Sequence, residues 1–268
     1  MSSESAKKTI SVALGVCLVC SVLVSSATVA LSKKQAQNKL EDKIENILIA
    51  ADLYSDGIDI EKVYEENIKP EIIDLKTGEP ISEKEYTSEL NPHDFDIKKI
   101  KDDPRYSEKI PEDKDIARIK TKPKYMIVYR VMKNDSVSKY ILPIYGKGLW
   151  STLYGFIALD KDLRTVTGIT FYEHGETPGL GGEVDNPRWK RIWKGKKAFD
   201  ENWNLKIAVI KGKVDKSSPL AKYEIDGLSG ATMTTRGVDK LVKFWLGKDG
   251  YGTFFKKLRE RGKNNGQV

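Results

Sequence analysis

The chain begins with a long apolar segment flanked by basic residues. Residues 9–32 contain no charged residue, with Lys7 and Lys8 on one side and Lys33 and Lys34 on the other. A helix rises about 1.5 Å per residue, so this length crosses a hydrocarbon core about 30 Å thick. A cleaved signal peptide also has a basic start, but its apolar core is usually about 7–15 residues long. The pattern favours a retained transmembrane helix.

Helical spacing continues from residue 33 to about residue 53. Five apolar residues there share one face of a helix: Leu40, Ile44, Ile47, Leu48 and Ala51. The next stretch, as far as Pro123, is rich in Lys, Glu, Asp and proline. It predicts short elements and loops packed on a main domain. Residues 33–123 are therefore expected to form a helical or irregular connecting region.

Strand patterns begin near residue 124. Runs rich in β-branched and aromatic residues predict strands over 125–132, 137–145, 154–159, 166–172 and 205–210. Residues 133–136 between the first two runs have the composition of a hairpin turn. Because consecutive strands joined by short turns pair antiparallel, we expect an α+β fold, a mainly antiparallel sheet with flanking helices.

Three helices are predicted in the same part of the chain. Asn186 and Pro187 open one that extends to Trp193, since proline is favoured in a first turn. Two more are predicted over 237–246 and 252–261. The first of these two has apolar residues at helical spacing: Val238, Leu241, Val242, Trp245 and Leu246.

Charge and cysteine content narrow the classes of function. The formal net charge is +7, but basic residues lie among acidic ones, with only short clusters such as 194–197 and 256–261. No zinc-ligand spacing or aromatic RNA-binding motif accompanies them, so a solvated basic surface is favoured over a nucleic-acid site. Both cysteines, Cys17 and Cys20, lie in the apolar segment. They are either a metal or redox pair or small apolar packing residues; no metal site is predicted.

The most informative segment is D-G-L-S-G-A-T-M-T-T, residues 226–235. It places four hydroxyls and two glycines directly before a predicted helix: Ser229, Thr232, Thr234, Thr235, Gly227 and Gly230. Backbone N–H groups at a helix N-terminus favour an anion. The segment therefore either holds a phosphate, bound or esterified to threonine, or caps the helix through Thr234 or Thr235 after a glycine turn.

A second segment, residues 173–182, follows a predicted strand and contains four glycines. Glycine lets the backbone approach a flat ligand closely and adopt positive φ. Thr177 is placed to hydrogen-bond a polar ring edge and Leu180 to lie against a ring face. Taken alone, the segment favours an ordinary glycine-rich loop.

Residues 225–247, I-D-G-L-S-G-A-T-M-T-T-R-G-V-D-K-L-V-K-F-W-L-G, resemble the flavin-attachment motif of the C subunit of the sodium-translocating NADH:quinone reductase. The E-H-x-E-T-P-G-L-G-x-E pattern at 173–183 is similar to the second signature of its FMN-binding domain. Gly148-Leu149-Trp150-Ser151 matches a third segment. The resemblance implies that Thr232 carries covalent FMN through a phosphoester bond, with no catalytic side chain beyond the flavin.

The same resemblance implies a set of flavin-binding residues. Around Thr232 these are Ser229, Gly230, Ala231 and Thr234, and in the second segment they are Glu173, Thr177, Gly179, Leu180 and Gly181. Trp150 would either flank the ring or pack in the core, and Ser151 would donate to the ring. Lys211 would lie near N1, where a cation stabilises the anionic reduced ring. Glu173, Glu176 and Glu183 are candidates for ring contacts or for loop-stabilising bonds, and His174 for a local hydrogen bond.

The implied protein is the FMN-carrying electron-transfer subunit of a sodium-translocating reductase that passes electrons from NADH to ubiquinone. It would relay electrons from a membrane metal centre to another flavin subunit and would not be catalytic alone. Its implied partners are the other membrane subunits, membrane lipid and a flavin transferase. We expect a cytoplasmic N-terminus at 1–8, the transmembrane helix at 9–32, and an FMN-binding domain at 124–268 on the outer side of the cytoplasmic membrane.

Two alternatives remain. The FMN subunit of the related ferredoxin:NAD oxidoreductase (Rnf-type) shares S-G-A-T, although the ending F-W-L-G-K-D-G-Y-G-T-F-F-K-K-L is more similar to the sodium pump. An anchored module that binds a phosphorylated ligand without redox chemistry also fits the hydroxyl segment. A serine hydrolase is disfavoured because G-x-S-x-G is absent.

Overall fold

A computed structural model describes residues 6–264; residues 1–5 of the predicted cytoplasmic N-terminus and 265–268 of the predicted flavin domain lie outside them. The helices are α1 (Ala6–Ala51), α2 (Ile60–Asn67), α3 (Ile97–Asp102), α4 (Pro187–Arg191), α5 (Thr232–Leu246) and α6 (Gly252–Asn264). The strands are β1 (Ile68–Asp74), β2 (Glu79–Pro80), β3 (Ser107–Lys109), β4 (Thr121–Pro123), β5 (Tyr125–Lys133), β6 (Ser136–Lys147), β7 (Thr152–Asp160), β8 (Val166–Glu173), β9 (Ala208–Val209) and β10 (Glu224–Ile225).

Helix α1 contains both the apolar segment and the amphipathic segment that follows it. It is the one described helix long and apolar enough to cross a membrane, with a mean hydropathy of 2.3 over its most apolar window. The described residues form two compact units divided between Lys43 and Ile44. Within the second unit, Ile47, Leu48 and Ala51 are buried as their spacing predicts. Leu40, predicted on the same face, is 50% exposed.

The main sheet has six strands in the order β2-β1-β5-β6-β7-β8, all antiparallel to their neighbours. This confirms the predicted α+β class with a mainly antiparallel sheet. The β5–β6 turn contains Asn134 and Asp135, both with positive φ, as a two-residue hairpin turn requires. Strand β1 belongs to the proline-rich region before residue 124 and pairs with β5 along its whole length.

One predicted strand is much shorter than expected. The run 205–210 was expected to be a strand, but only Ala208–Val209 is extended in a ladder, parallel to β10. The neighbouring residues bond elsewhere: the Lys206 and Ile207 amides both donate to Ala198. A run of β-branched residues indicates that a segment suits a half-buried extended surface, but it does not show that a partner strand is present. Here the partner, β10, has only two residues, so the ladder is equally short.

Helix α5 packs across β6 and brings its own N-terminus to the end of that strand. The Trp245 indole N–H donates to the Tyr145 carbonyl at 2.7 Å. A Cβ added at Gly237 would lie 2.5 Å from the Lys147 carbonyl oxygen. Since only glycine allows this approach, the first turns of α5 lie against the strand end that leads into residues 148–151.

The start of α5 differs from the sequence-based expectation of residue 237. The helix begins at Thr232, after Gly230 at φ +72° and the N-cap Ala231. The Thr235 amide donates to the Ala231 carbonyl at 2.9 Å, which closes the first helical turn. Hydroxyl residues have low propensity inside helices but are well tolerated in a first turn, where backbone N–H groups lack helical partners. Thr232 is therefore the first residue of the helix.

Candidate functional site: the Thr232 pocket and the Glu176 network

The Glu176 carboxylate lies at the centre of the candidate site. Its Oε1 accepts from the Trp150 amide at 3.0 Å and from the Ser151 amide and hydroxyl at 3.0 and 3.1 Å. Its Oε2 accepts from the Leu149 amide at 3.1 Å and from the Thr234 hydroxyl at 2.7 Å. Glu176 is 5% exposed and Thr234 1%. One carboxylate thus joins all three segments that the sequence analysis singled out.

Two opposing effects act on the pKa of Glu176. Burial raises it, but the hydrogen bonds from the Thr234 hydroxyl and the loop amides favour the charged form and outweigh burial. The pKa of Glu176 is therefore below its ordinary value. Both oxygens of this buried carboxylate accept hydrogen bonds from the protein. Of the two roles considered for Glu176, a ring contact or a loop-stabilising bond, these contacts are those of the second.

Two glycines make room for this carboxylate. A Cβ at Gly148 would lie 2.6 Å from Glu176 Oε1. A Cβ at Gly181 would lie 2.5 Å from the Thr234 hydroxyl oxygen and 2.9 Å from Glu176 Oε2. All three distances are shorter than real Cβ contacts, so a larger residue at either position would displace Glu176 or Thr234 from these hydrogen bonds. Glycine at both positions therefore allows the close packing around Glu176.

Thr232 lies in a pocket of about 290 Å³ next to this network. The pocket is lined by Lys211, Gly212, Lys213, Gly227, Leu228, Ser229, Gly230, Thr232 and Thr235. Thr232 is half-buried, and its hydroxyl has no hydrogen-bond partner among the described residues. The structure thus brings four of the sequence-predicted residues into one cavity: Lys211, Ser229, Gly230 and Thr232.

The other two threonines of the segment have structural roles. The Thr234 hydroxyl donates to Glu176, and the Thr235 hydroxyl accepts from the Leu228 amide at 3.0 Å. Both are buried. Neither hydroxyl is accessible to a large ligand, whereas Ser229 is exposed.

Asp226 holds the start of the same segment. Its carboxylate accepts from the Val214 amide at 2.8 Å and the Lys213 ammonium at 2.9 Å. Its carbonyl accepts from the Trp189 indole at 2.8 Å. Burial raises the pKa of Asp226, but the bonds from Val214 and Lys213 together lower it below its ordinary value. Asp226 thus fixes the 211–214 loop against the pocket.

The remaining predicted residues of the glycine-rich segment lie at its exposed surface. Leu180 is 46% exposed, and a Cβ at Gly230 would lie 3.0 Å from its Cδ2 atom. Thr177 is exposed, and its carbonyl accepts from the Leu180 and Gly182 amides at 3.1 and 2.9 Å. Gly179 has φ +74°. This tight turn therefore presents Leu180 next to the Thr232 pocket.

Three further predicted residues, Trp150, Ser151 and Glu173, do not line the Thr232 pocket. Trp150 is 67% exposed. The Ser151 hydroxyl accepts from the Gly175 amide at 2.8 Å while donating to Glu176. Glu173 forms a surface ion pair with Lys98 at 2.6 Å. Ser151 and Glu173 thus have partners within the protein.

His174 and Glu183, the remaining candidates for loop-stabilising bonds, form hydrogen bonds with residues close to them in sequence. The His174 Nδ1 accepts from the Glu176 amide at 3.2 Å, so its Nε2 carries the proton toward Asp185 at 2.6 Å. Glu183 accepts from the Asn186 side-chain amide at 2.6 Å. His174 makes the local hydrogen bonds that the sequence analysis expected of it.

Five residues that line the Thr232 pocket were not among the expected flavin-binding residues: Gly212, Lys213, Gly227, Leu228 and Thr235. The K-G-K triplet at 211–213 carried a usable signal, since a glycine between lysines at a strand end predicts a turn. Gly212 indeed has φ +88°. The side of the turn on which each lysine lies depends on Asp226, which a local pattern does not reveal.

The fold and the site define an FMN-binding domain protein with an N-terminal apolar helix. A family model described as FMN-binding domain matches residues 148–247, the range from the Gly148 loop to the end of α5. This range includes the Glu176 network and the Thr232 pocket.

Full-length relatives specify the family. The C subunit of the Na⁺-translocating NADH-quinone reductase of Pseudomonas aeruginosa is 45% identical over 96% of this chain and 97% of its own. The corresponding Vibrio parahaemolyticus protein is 43% identical over 98% of each chain. The structure of NqrC from Shewanella oneidensis superposes with a TM-score of 0.74 at 36% identity, covering 83% of this chain and 99% of that one. The chain belongs to the C-subunit family of the Na⁺-translocating NADH-quinone reductase.

Proposed function

We propose that this chain is the subunit of a sodium-translocating NADH:quinone oxidoreductase in which FMN is esterified to Thr232. The observation that carries the proposal is the placement of one unpartnered threonine hydroxyl at a helix N-terminus, inside a pocket that also contains Lys211. The match to the FMN-binding domain family and the names of the relatives support it.

Helix α5 suits a phosphodiester at its first residue. The first backbone N–H groups of a helix lack intrahelical acceptors, and the helix dipole stabilises negative charge there. The Ala231 N-cap has no side-chain oxygen to occupy these donors. Residues 232–234 thus offer N–H groups to a phosphate bonded to the Thr232 oxygen.

The surroundings of the pocket suit the flavin ring. Leu180 supplies exposed apolar surface next to Gly230 of the pocket, and Thr177 and Gly179 form the turn that presents it. We infer that the exposed Trp150 indole adds a second apolar face for the ring. Lys211 supplies a cation for the N1 edge, where positive charge stabilises the anionic reduced ring. Bound FMN supplies the electron-transfer chemistry, while these residues position it and adjust its potential.

The proposed ester bond also has a physical advantage in the proposed location. We place the soluble domain on the outer side of the cytoplasmic membrane, with 9–32 in the lipid. Where no pool of free FMN is supplied, a reversibly bound cofactor dissociates by mass action, whereas an ester bond retains it. A flavin transferase would form the bond from a flavin dinucleotide: the Thr232 oxygen would bond to the FMN phosphorus, the phosphoanhydride bond of the donor would break, and a nucleoside monophosphate would leave while the hydroxyl proton passes to a base. Ser229 and Gly230 are exposed and Thr232 is half-buried, so the transferase can reach the segment. The flavin would then relay electrons from a membrane metal centre to another flavin subunit.

The experiment is to co-express the full chain with a flavin transferase and compare Thr232→Ala, Thr232→Ser and Ser229→Ala. We measure the intact mass and the flavin fluorescence of the denatured protein in a gel. Wild type, Thr232→Ser and Ser229→Ala should all carry the mass of an FMN ester, and Thr232→Ala should lack it. Thr232→Ser retains the hydroxyl, so its loading separates attachment chemistry from folding.

Two results would reject the proposal. Thr232→Ala with normal covalent flavin would move the attachment elsewhere. Unmodified mass and no fluorescence in wild type, despite an active transferase, would show that the chain does not carry covalent FMN.

A further inference from the structure

The positive charge of the chain is concentrated between residues 187 and 223. This stretch contains eleven Lys and Arg and three Asp and Glu, a formal charge of +8, whereas the whole chain carries +7. The remaining residues together are therefore close to neutral. The stretch includes α4 and the loop that carries Lys211.

Three lysines of this stretch meet at one cavity next to the Thr232 pocket. The cavity, about 670 Å³, is lined by Ile192, Lys196, Lys213, Val214, Lys216 and Ala221 together with Asp226. Lys213 lines both this cavity and the Thr232 pocket. We call Lys211, Lys213, Lys216 and Lys196 the basic rim, and it is continuous with the proposed flavin site.

The basic rim has few internal counter-charges. Lys213 pairs with Asp226, yet its side chain is 84% exposed. Lys196 donates to the Ala221 carbonyl at 2.6 Å, which is a neutral partner. Lys211 and Lys216 are exposed and form no ion pair with any residue between 6 and 264. The rim therefore presents uncompensated positive charge to solvent.

Three exposed apolar side chains neighbour residues of the Thr232 pocket or of the basic cavity. Leu180 and Met233 are 46% and 49% exposed beside the Thr232 pocket, and Leu220 is 52% exposed next to Ala221 of the basic cavity. Protein interfaces combine an apolar centre with a polar margin, and complementary charge at the margin speeds association. The surface has both components.

We propose that the basic rim docks an acidic face of the flavin subunit that accepts electrons from this flavin. The electron donor proposed above is a metal centre within the membrane, whereas Lys211, Lys213 and Lys216 of the rim are exposed to solvent. The inference rests on the function proposed above. Each docking event would allow the reduced flavin to give one electron to the flavin of its partner, with no bond made or broken. A protein is favoured over anionic lipid because the rim is continuous with the flavin pocket, and a lipid headgroup there would cover the flavin without supplying a redox centre.

The test compares Lys216→Glu with Lys133→Glu in the assembled, purified complex. Both lysines are exposed, and both substitutions change the charge by the same amount. Lys133 ends β5 at the hairpin, roughly 35 Å along β6 from the strand end that contacts α5. After covalent flavin has been measured by mass, stopped-flow absorbance gives the rate of electron transfer between this flavin and its partner at low and high ionic strength.

We expect Lys216→Glu to slow this transfer about tenfold at low ionic strength, and Lys133→Glu to stay within about twofold of wild type. Added salt should slow electron transfer in wild type and reduce the difference in rate between wild type and Lys216→Glu, because it screens exposed charges. Equal slowing by both variants, or an unchanged rate in flavin-loaded Lys216→Glu, would overturn docking at the rim.

Three further outcomes would overturn specific parts of the inference. A normal transfer rate with weaker binding of the complex to anionic lipid vesicles would assign the rim to lipid instead of a protein. Loss of covalent flavin in Lys216→Glu alone would make Lys216 part of the cofactor site. Absence of flavin from the wild-type chain would reject the proposed function itself, which the mass measurement detects before any rate is recorded.

Discussion

The Thr234 hydroxyl donates a 2.7 Å hydrogen bond to the Glu176 carboxylate, and both groups are buried. The bond joins the first turn of α5 to the glycine-rich segment. The same carboxylate also accepts hydrogen bonds from the backbone amides of Leu149, Trp150 and Ser151. Glu176 therefore sets the relative position of three segments around the Thr232 pocket.

Glu176→Gln is expected to destabilise the protein by about 2–4 kcal/mol. The Gln amide nitrogen is a donor, so it faces donors where Glu176 presented an acceptor, and at least two buried bonds are lost. Denaturant unfolding of the soluble part measures the change. Glu173→Gln is the matched control, since its Lys98 pair is exposed and worth about 0–1 kcal/mol. Equal effects of the two variants would contradict a central role for Glu176.

Gly181→Ala should cost about 1–3 kcal/mol by overpacking. Its new methyl group would meet the Thr234 hydroxyl at 2.5 Å, between buried groups that have no free space. Gly175→Ala is the control, because its nearest neighbour would be Ser151 Cβ at an ordinary 3.5 Å. Thermal unfolding of both variants checks the prediction, and a stable Gly181→Ala would show that the network shifts easily.

The contribution of Glu176 should disappear in acid. Its folded pKa is below the ordinary value of 4.5, so the folded state favours the charged form relative to the unfolded chain. This stability is present above pH 4.5 and is lost as the pH falls through the folded pKa. Unfolding free energies of wild type and Glu176→Gln, measured from pH 7 to pH 3, should converge below 4.5. A difference that stays constant over this range would contradict the lowered pKa.

Lys211→Gln is expected to lower the potential of the bound flavin, since it removes a cation that stabilises the anionic reduced ring. A redox titration of the flavin-loaded protein measures the shift. Lys133→Gln, at the distant hairpin, should leave the potential unchanged. If Lys211→Gln also leaves it unchanged, Lys211 lies away from the ring.

Local sequence patterns determined most of the fold. Strands β5 to β8 appear where period and turn chemistry predicted them, because each pattern expresses a local preference for burial. Helices α4 to α6 also appear in the predicted segments, but α4 ends at Arg191 instead of Trp193 and α5 begins five residues before its predicted start. The motifs at 148–151, 173–183 and 225–247 were also sufficient to identify the family. The early start of α5 was missed because Thr232, Thr234, Thr235 and Gly237 have low helix propensity, and tertiary contacts decide such cases.

Only the tertiary structure decided which hydroxyl is available. Thr232, Thr234 and Thr235 are chemically equivalent in the sequence, yet Thr234 meets Glu176 and Thr235 meets the Leu228 amide, while Thr232 has no such partner among the residues from 6 to 264. Likewise, Lys196, Lys211, Lys213 and Lys216 line the pocket or the cavity beside it only after folding. Hydrogen bonds between residues distant in sequence depend on packed geometry, and a local pattern does not contain that information.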